Sequence, residues 1–300
     1  MVMDFDTNFE PRYGEAVQLA PAVRRLTVPN PSPFTFHGTN TYIIGTDTLA
    51  VLDPGPENEA HFESLMQAIG DKPVSHIFVS HTHRDHSPLA ARLKAATGAQ
   101  VLAEGPHRFA RPLRIGEVAA LDASADRDFM PDVQLADGAR VEGDGWTVEA
   151  IHTPGHAANH SVFALVGTGF LFSADHVMAW ATPVVAPPDG AMSDYMSSLD
   201  KLLERDDRVY LPGHGGAVTS PQSFVRGLKA HRKMRERAII ERLSAGDRSI
   251  REIVAAIYRD TDPRLHPAAA LSVLAHMEDL VARDLVKVEG ETAIDSIFHI

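Results

Sequence analysis

The stretch His81-Thr82-His83-Arg84-Asp85-His86 sets three imidazoles and a carboxylate within six residues, directly after the apolar run Ile77-Phe78-Val79. Three more residues of the same chemistry each close an apolar run of their own. They are His156 in Thr153-Pro154-Gly155-His156, Asp175 in Phe172-Ser173-Ala174-Asp175, and His214 in Leu211-Pro212-Gly213-His214. A short apolar run that stops at a polar or glycine turn is the pattern of a buried strand handing its next residue to the edge of a sheet. Four such edges can converge, which restricts the chain to folds whose strands end near one another. Five histidines and two aspartates exceed the roughly four ligands of one tetrahedral Zn²⁺, and they suit two divalent ions that share a bridging carboxylate. Zn²⁺ is the default for so imidazole-rich a set, and Mn²⁺ or Fe²⁺ accept the same ligands.

Composition narrows the chemistry further. With no cysteine the chain has neither disulfides nor thiolate ligands, which is compatible with a reducing compartment. The opening Met1-Val2-Met3-Asp4-Phe5-Asp6 lacks a basic segment followed by an apolar one, and no run of 18 apolar residues occurs, so a cytoplasmic protein that spans no membrane is expected. The net charge of −12 is uneven: residues 1–225 hold 15 Lys and Arg against 28 Asp and Glu, and residues 226–300 hold 13 against 12. An acidic surface disfavours long-range capture of a polyanion, although a local basic stripe or bound cations can still hold a phosphate.

Strand and helix patterns alternate along the first part of the chain. Residues 41–45 and 49–53 read as a hairpin stopped by Pro54-Gly55-Pro56. A helix over 57–70, a strand over 76–80, a helix over about 88–97 and a strand over 100–103 follow. Residues 104–145 read only as a loop region with short strands. Strands are expected at 146–151, 161–166, 169–173 and 208–211, with a helix near 193–205, which together make an α/β fold of mixed sheet direction. After Pro221 the texture is helical, at about 222–244, 249–259 and 267–283, closing with a short hairpin of 285–288 and 294–300 around Glu289-Gly290-Glu291. That order suggests a winged helix, so two domains are expected: a catalytic one over 1–225 and a winged-helix-like one over 226–300.

Taken together, the H-T-H-R-D-H, T-P-G-H, S-A-D and L-P-G-H motifs resemble the metallo-β-lactamase superfamily, whose fold is an αβ/βα sandwich with a two-metal site at one edge. Gly38-Thr39-Asn40-Thr41-Tyr42, Leu52-Asp53-Pro54-Gly55, Ser193-Asp194-Tyr195-Met196 and the helical tail are similar to its winged-helix-bearing branch, which includes a mitochondrial β-lactamase-like endoribonuclease. The resemblance covers roughly residues 28–290. It implies that His81, His83 and His156 hold one metal, that Asp85, His86 and His214 hold the other, and that Asp175 bridges them. Two departures, Ser87-Pro88 where relatives commonly have glycine and His176 beside the bridging aspartate, remove no ligand.

The expected chemistry is hydrolysis by a hydroxide that two cations make available at neutral pH, with Asp175 bridging and Asp85 orienting the nucleophile. His160 and His176 are candidates for proton transfer to a leaving group, His160 otherwise as an orienting neighbour of a ligand and His176 as a substrate contact. Asp53 is a candidate to orient a metal-binding imidazole or to complete its turn. Trp180 and Tyr195 are candidates to line the substrate cleft. Among substrates, the branch resemblance implies single-stranded RNA. Modest support comes from seven basic residues, Arg226, Lys229, Arg232, Lys233, Arg235, Arg237 and Arg242, interrupted by Glu236 and Glu241. The alternative is a small ester or thioester, as in the hydroxyacyl-glutathione hydrolases of the superfamily. A reading from another class is a nucleic-acid-binding or oligomerisation module with a structural metal. Sequence-specific duplex DNA is not an expected partner, because residues 267–283 offer mainly Ala, Leu, Val and His276 to base edges. Oligomeric state carries no sequence signal.

Overall fold

The computed structural model describes residues 3–114 and 125–300. One sheet has seven strands in chain order: β1 (Val17–Ala20), β2 (Val23–Thr27), β3 (Asn40–Ile44), β4 (Leu49–Leu52), β5 (Val74–Phe78), β6 (Gln100–Ala103) and β7 (Val133–Gln134). Its first half is antiparallel, and β4 through β7 run parallel. Parallel neighbours need a crossover, which α1 (Glu59–Ile69) supplies between β4 and β5, and α2 (Leu89–Thr97) between β5 and β6. The second sheet contains β8 (Arg140–Gly143), β9 (Trp146–His152), β10 (Ser161–Leu165), β11 (Phe170–Ala174) and β12 (Val209–Pro212). Only β11 and β12 pair in parallel there, joined by the crossover helix α3 (Met192–Leu203).

Period-two alternation of apolar residues decides which layer each strand face meets. Tyr42, Ile44, Ala50, Leu52, Phe78 and Leu102 from the first sheet meet Val148, Ala150, Phe163, Leu165, Phe172 and Leu211 from the second, forming the central layer of the sandwich. The intervening residues Ile43, Val51, Ile77 and Val101 face outward against Leu65 and Ile69 of α1 and Leu93 of α2. Val162, Ala164, Leu171 and Tyr210 do the same against Tyr195, Leu199 and Leu202 of α3. Both faces of the central strands of both sheets are therefore apolar and covered, which is the αβ/βα sandwich that the resemblance implies.

Strand direction places the functional edge. Strand β9 is antiparallel to β10, and β10 to β11, so β9, β11 and β12 run the same way and their C-terminal ends share one edge. His156, Asp175 and His214 all follow those ends. In the other sheet β4 and β5 are parallel and end just before Asp53 and His81. Ligands of α/β sheets commonly gather at the carboxyl ends of such strands.

After the sandwich comes α4 (Pro221–Ser244), a 24-residue helix that serves two cores. Val225 and Leu228 pack on the second sheet's outer layer, while Ile239 and Leu243 join a separate cluster with Ile253, Leu274, Leu280 and Phe298. That cluster is built by α5 (Ile250–Ile257), α6 (His266–Ala282) and a small wing of β13 (Lys287–Val288) on β14 (Phe298–His299). Helix α5 starts at a capping box in which the Ser249 and Glu252 side chains each take up the other's backbone N–H. No described helix is long and apolar enough to cross a membrane.

The structure adds elements that the sequence conceals. Strands β1 and β2 precede the expected hairpin. Strand β2 escapes a reading by pattern because Arg25 interrupts it, yet that side chain is buried, donating to the Glu10 carbonyl at 2.9 Å and lying over the Phe9 ring. The loop region 104–145 contains β7 and β8, both thinly buried edge strands with little apolar signal. Its residues 115–124 lie outside the described residues. The expected C-terminal hairpin shortens to the pairs Lys287 with His299 and Val288 with Phe298.

Phe163 is fully buried at the centre of the sandwich, against Phe78. Phe163→Ala is expected to cost about 3–5 kcal/mol of stability through lost burial and the cavity left behind. A chemical denaturation midpoint unchanged from wild type would refute this placement of the core.

Candidate metal centre

All five imidazoles and both carboxylates of the motifs come together at the shared edge. Their ligand atoms form three groups, each within 4.8 Å of one another: His81 with His83 and His156, His81 with His86 and Asp175, and Asp85 with His86 and His214. His81 Nε2 and His156 Nε2 both lie 3.0 Å from His83 Nδ1. Two nitrogens each about 2.0–2.1 Å from one tetrahedral ion are about 3.3 Å apart, so this spacing fits a cation at the centre of the three rings.

The orientation of each ring is set from behind. His83 Nε2 donates to Asp189 Oδ2 at 2.6 Å, His156 Nδ1 to the Val184 carbonyl at 2.7 Å, and His214 Nδ1 to the Gly38 carbonyl at 3.2 Å. His86 Nδ1 donates to Asp53 Oδ2 at 3.0 Å. The Ser80 hydroxyl donates to the same oxygen at 2.7 Å and sits 2.9 Å from His81 Nδ1, from which it can accept. With the outer nitrogen of each ring so engaged, the inner one presents a lone pair, the tautomer a metal requires. The buried atoms His86 Nε2 and Asp175 Oδ1 have no hydrogen-bond partner, as expected of donors whose natural partner is an ion.

Asp175 faces both groups. Its Oδ1 lies 3.4 Å from His86 Nε2 and 3.3 Å from His214 Nε2, while its Oδ2 is 3.6 Å from His156 Nε2. Burial raises the Asp175 carboxyl, but the His214 and His86 imidazoles outweigh it and hold the group well below the ordinary range. Burial lowers His214, yet the Asp175 and Asp85 carboxylates hold it up to about 9. His81 is held well below its usual value by burial and by the neighbouring His86 and His83 rings. The cluster is thus a set of mutually stabilised opposite charges in which a cation can take the place of protons.

Two glycines make room for this. A Cβ on Gly213 would lie 2.5 Å from Asp175 Oδ1 and 2.8 Å from His86 Cε1. Gly155, at φ 141°, has the backbone of Tyr195 where its Cβ would be, 2.4 Å away. The P-G pairs before His156 and His214 are therefore packing requirements of the site.

The remaining candidates fall in different places. Asp53 is fully buried in a left-handed conformation (φ 49°) and accepts from the Ser80 N–H, the Ser80 hydroxyl and His86. His160 is buried behind the cluster, its Nδ1 3.0 Å from Thr153 Oγ1 and its Nε2 accepting from the Asp175 N–H. The His176 ring is wholly buried with neither nitrogen hydrogen-bonded, and burial lowers its pKa to about 3. Tyr195 is equally buried in the layer under α3, its hydroxyl donating to the His176 carbonyl at 3.1 Å. Neither His176 nor Tyr195 reaches a cleft, because the S-D-Y-M helix packs against the Gly155 turn from inside. Trp180 is partly exposed and stacks on Phe36 at 4.8 Å between ring centres. Sequence reasoning missed Asp189, which grips His83; its only signal is its place in a Pro-Pro-Asp-Gly turn far from any ligand motif. It also missed His61, which lies 3.0 Å from Thr41 Oγ1 and donates to the Pro54 carbonyl, bracing the turn after Asp53.

Comparison with known proteins agrees with this geometry. Residues 34–214 match the metallo-beta-lactamase superfamily, more than half of the chain. The chain belongs to that superfamily. Residues 249–294 match the beta-lactamase associated winged helix domain, so the protein is a metallo-β-lactamase superfamily member of the winged-helix-bearing kind. It is 31% identical over 285 residues to the beta-lactamase-like protein 2 homolog of Drosophila melanogaster, covering 87% of this chain and 91% of that one. It is 26% identical to an atrochrysone carboxyl ACP thioesterase of Aspergillus novofumigatus, covering 93% and 82%. In fold it is similar to a beta-lactamase domain protein of Burkholderia ambifaria, with a TM-score of 0.79 at 22% identity over 99% of this chain and 97% of that one.

Because Asp53 orients His86 directly and His81 through Ser80, Asp53→Ala is expected to weaken metal retention about 10–100-fold. Metal content after chelator competition reads this. Retention equal to wild type would remove Asp53 from the site.

Proposed function

We propose that the protein is a dinuclear metallohydrolase acting on a thioester or activated ester of an organic acid. The observation that carries this is Asp175, whose two oxygens face the two donor groups. In this reading His81, His83 and His156 hold one divalent ion, Asp85, His86 and His214 hold the other, and Asp175 is shared, with Zn²⁺ favoured by the imidazole content. Bound ions of this kind supply a Lewis acid and lower the pKa of water toward neutrality.

The chain's own groups do the rest. Asp85 is the most exposed of the four carboxylates in contact with these imidazoles, and Thr39 Oγ1 donates to its Oδ2 at 3.2 Å, so it is positioned to orient the attacking water and accept its proton. A thiolate leaves without needing a proton, which suits a site whose nearby extra histidines, His160 and His176, are sealed in the core.

The state of α4 favours this substrate class over single-stranded RNA. Of its seven basic residues, Lys229 pairs with Asp200, Arg242 pairs with Asp247, and Arg232 is buried. Of the seven, Arg226, Lys233, Arg235 and Arg237 are left to meet a polyanion, a thinner stripe than the sequence offers. Support also comes from a relative that carries the name thioesterase.

His83→Ala is expected to lower metal content below two ions per chain by elemental analysis and to abolish turnover. Full turnover by a one-metal variant would refute the dinuclear reading. Assayed side by side, the metal-loaded protein should turn over acyl thioesters and leave labelled single-stranded RNA intact, with Asp175→Ala inactive on both. RNA cleavage without thioester turnover would reverse the assignment.

A further inference from the structure

The segment 178–184 separates the donor cluster from the winged-helix unit and touches both. On the cluster side, the Val184 carbonyl accepts from His156 Nδ1, and Trp180 lies against Gly215, next to His214. On the other side the same segment walls a groove of about 400 Å³ that is closed by Phe34 and by residues of α4 and α6.

Charge in this groove is one-sided. Arg232 and Arg235 line it beside His231, which burial and the two arginines keep neutral with a pKa lowered to about 4, and no aspartate or glutamate does, in a chain whose net charge is −12. The rest of the lining is mostly apolar or aromatic, with Phe34, Trp180, Val184 and Tyr258 prominent. Arg232 is only 4% exposed; it donates to the Pro183 carbonyl and, at 3.4 Å, to Ser272 Oγ. Arg235 lies 4.6 Å over the Tyr258 ring. The Nε atoms of both guanidiniums are buried without a hydrogen-bond partner, and among the described residues no carboxylate pairs with either. Arg232 is a sequestered cation without counter-charge, which is costly and ordinarily matched by an anion, and the half-buried Arg235 sits beside it.

We propose that this groove binds the acyl portion of the substrate, an apolar chain that ends in a carboxylate or phosphate held by Arg232 and Arg235. Naming the occupant a substrate rests on the hydrolase reading; the binding itself does not. The apolar walls take up the chain, the two guanidiniums take the far anion, and the reacting end passes Val184 and Trp180 toward the donor cluster.

The test is calorimetric and needs no turnover. The metal-loaded full chain is titrated with octanoate, octyl phosphate and octanol, and the series is repeated with Arg235→Ala and Arg235→Lys. At least one anion should bind about tenfold or more tightly than octanol, Arg235→Ala should erase that preference, and Arg235→Lys should restore part of it. Which anion gains more separates a carboxylate terminus from a phosphate one. Equal affinity for anion and alcohol, or an anion preference that survives Arg235→Ala because the anion sits on the metals, overturns the proposal. Displacement of octanoate by oligouridylate with a steep salt dependence overturns it in favour of a polynucleotide. A chain that binds octanoate as expected yet hydrolyses no thioester loses the hydrolase reading and keeps the groove.

Discussion

An imidazole can offer a lone pair at one nitrogen only when the other holds the proton, and the architecture of this protein serves that condition five times over. The oxygens that fix the five rings come from scattered places: the Asp53 carboxylate after β4, Ser80 before the first motif, Asp189 after a Pro-Pro turn, and the carbonyls of Val184 and Gly38. None of these is flexible surface. Asp53 and Ser80 are fully buried, and Asp53 holds a left-handed backbone that the surrounding packing must enforce. Loosening any of them would let a ring turn over and present a proton where the site needs an electron pair.

The sandwich makes that precision affordable by bringing rigid strand ends together from both sheets. Cross-sheet ties lock the edge: the Asn40 N–H donates to the Gly213 carbonyl at 2.7 Å, the Tyr42 hydroxyl to the Pro212 carbonyl at 2.7 Å, and the Ser161 N–H to the Ser80 carbonyl at 2.8 Å. These bonds link the turns that carry His81 and His214 across the interface between the sheets. The winged-helix unit is joined to this body by α4, whose first half belongs to one core and whose second half belongs to the other, and by α6, which adds Ala275 to the sandwich-side cluster and pairs Glu278 with Arg111 and Arg114. The α4 helix brings basic side chains to the flank of the edge that carries the imidazole and carboxylate cluster.

How much was legible in advance followed the strength of local signals. The strands β3 to β6 and β9 to β12 were readable because both of their faces are apolar, and the helices because their spacing and punctuation were regular. Strand β2 was hidden by Arg25, whose burial depends on the distant Phe9 and Glu10. The motif histidines and aspartates were readable because they follow the ends of four apolar strands, β5 carrying four of them and β9, β11 and β12 one each, and all seven do meet. Asp189 was not, because a single aspartate in a loop announces nothing until the fold brings it 2.6 Å from His83. Tyr195, lying between Asp175 and His214 in sequence, and His176, next to Asp175, read as substrate contacts, but both are fully buried, Tyr195 on the inward face of α3.

The chain's residues alone determined the chemistry: lone pairs of imidazole and carboxylate, delivered at the ends of buried strands without a single thiol, leave little else but a divalent-cation site. They determined the superfamily as well, since those spacings recur as a set. Tertiary structure decided which nitrogen of each ring faces inward, which oxygens fix the rings from behind, and which arginine loses its solvent beside the site. The reason is physical. Ligand type is a property of one residue, whereas orientation, burial and counter-charge are properties of neighbours hundreds of positions away in some cases, and only the closed sandwich makes them neighbours.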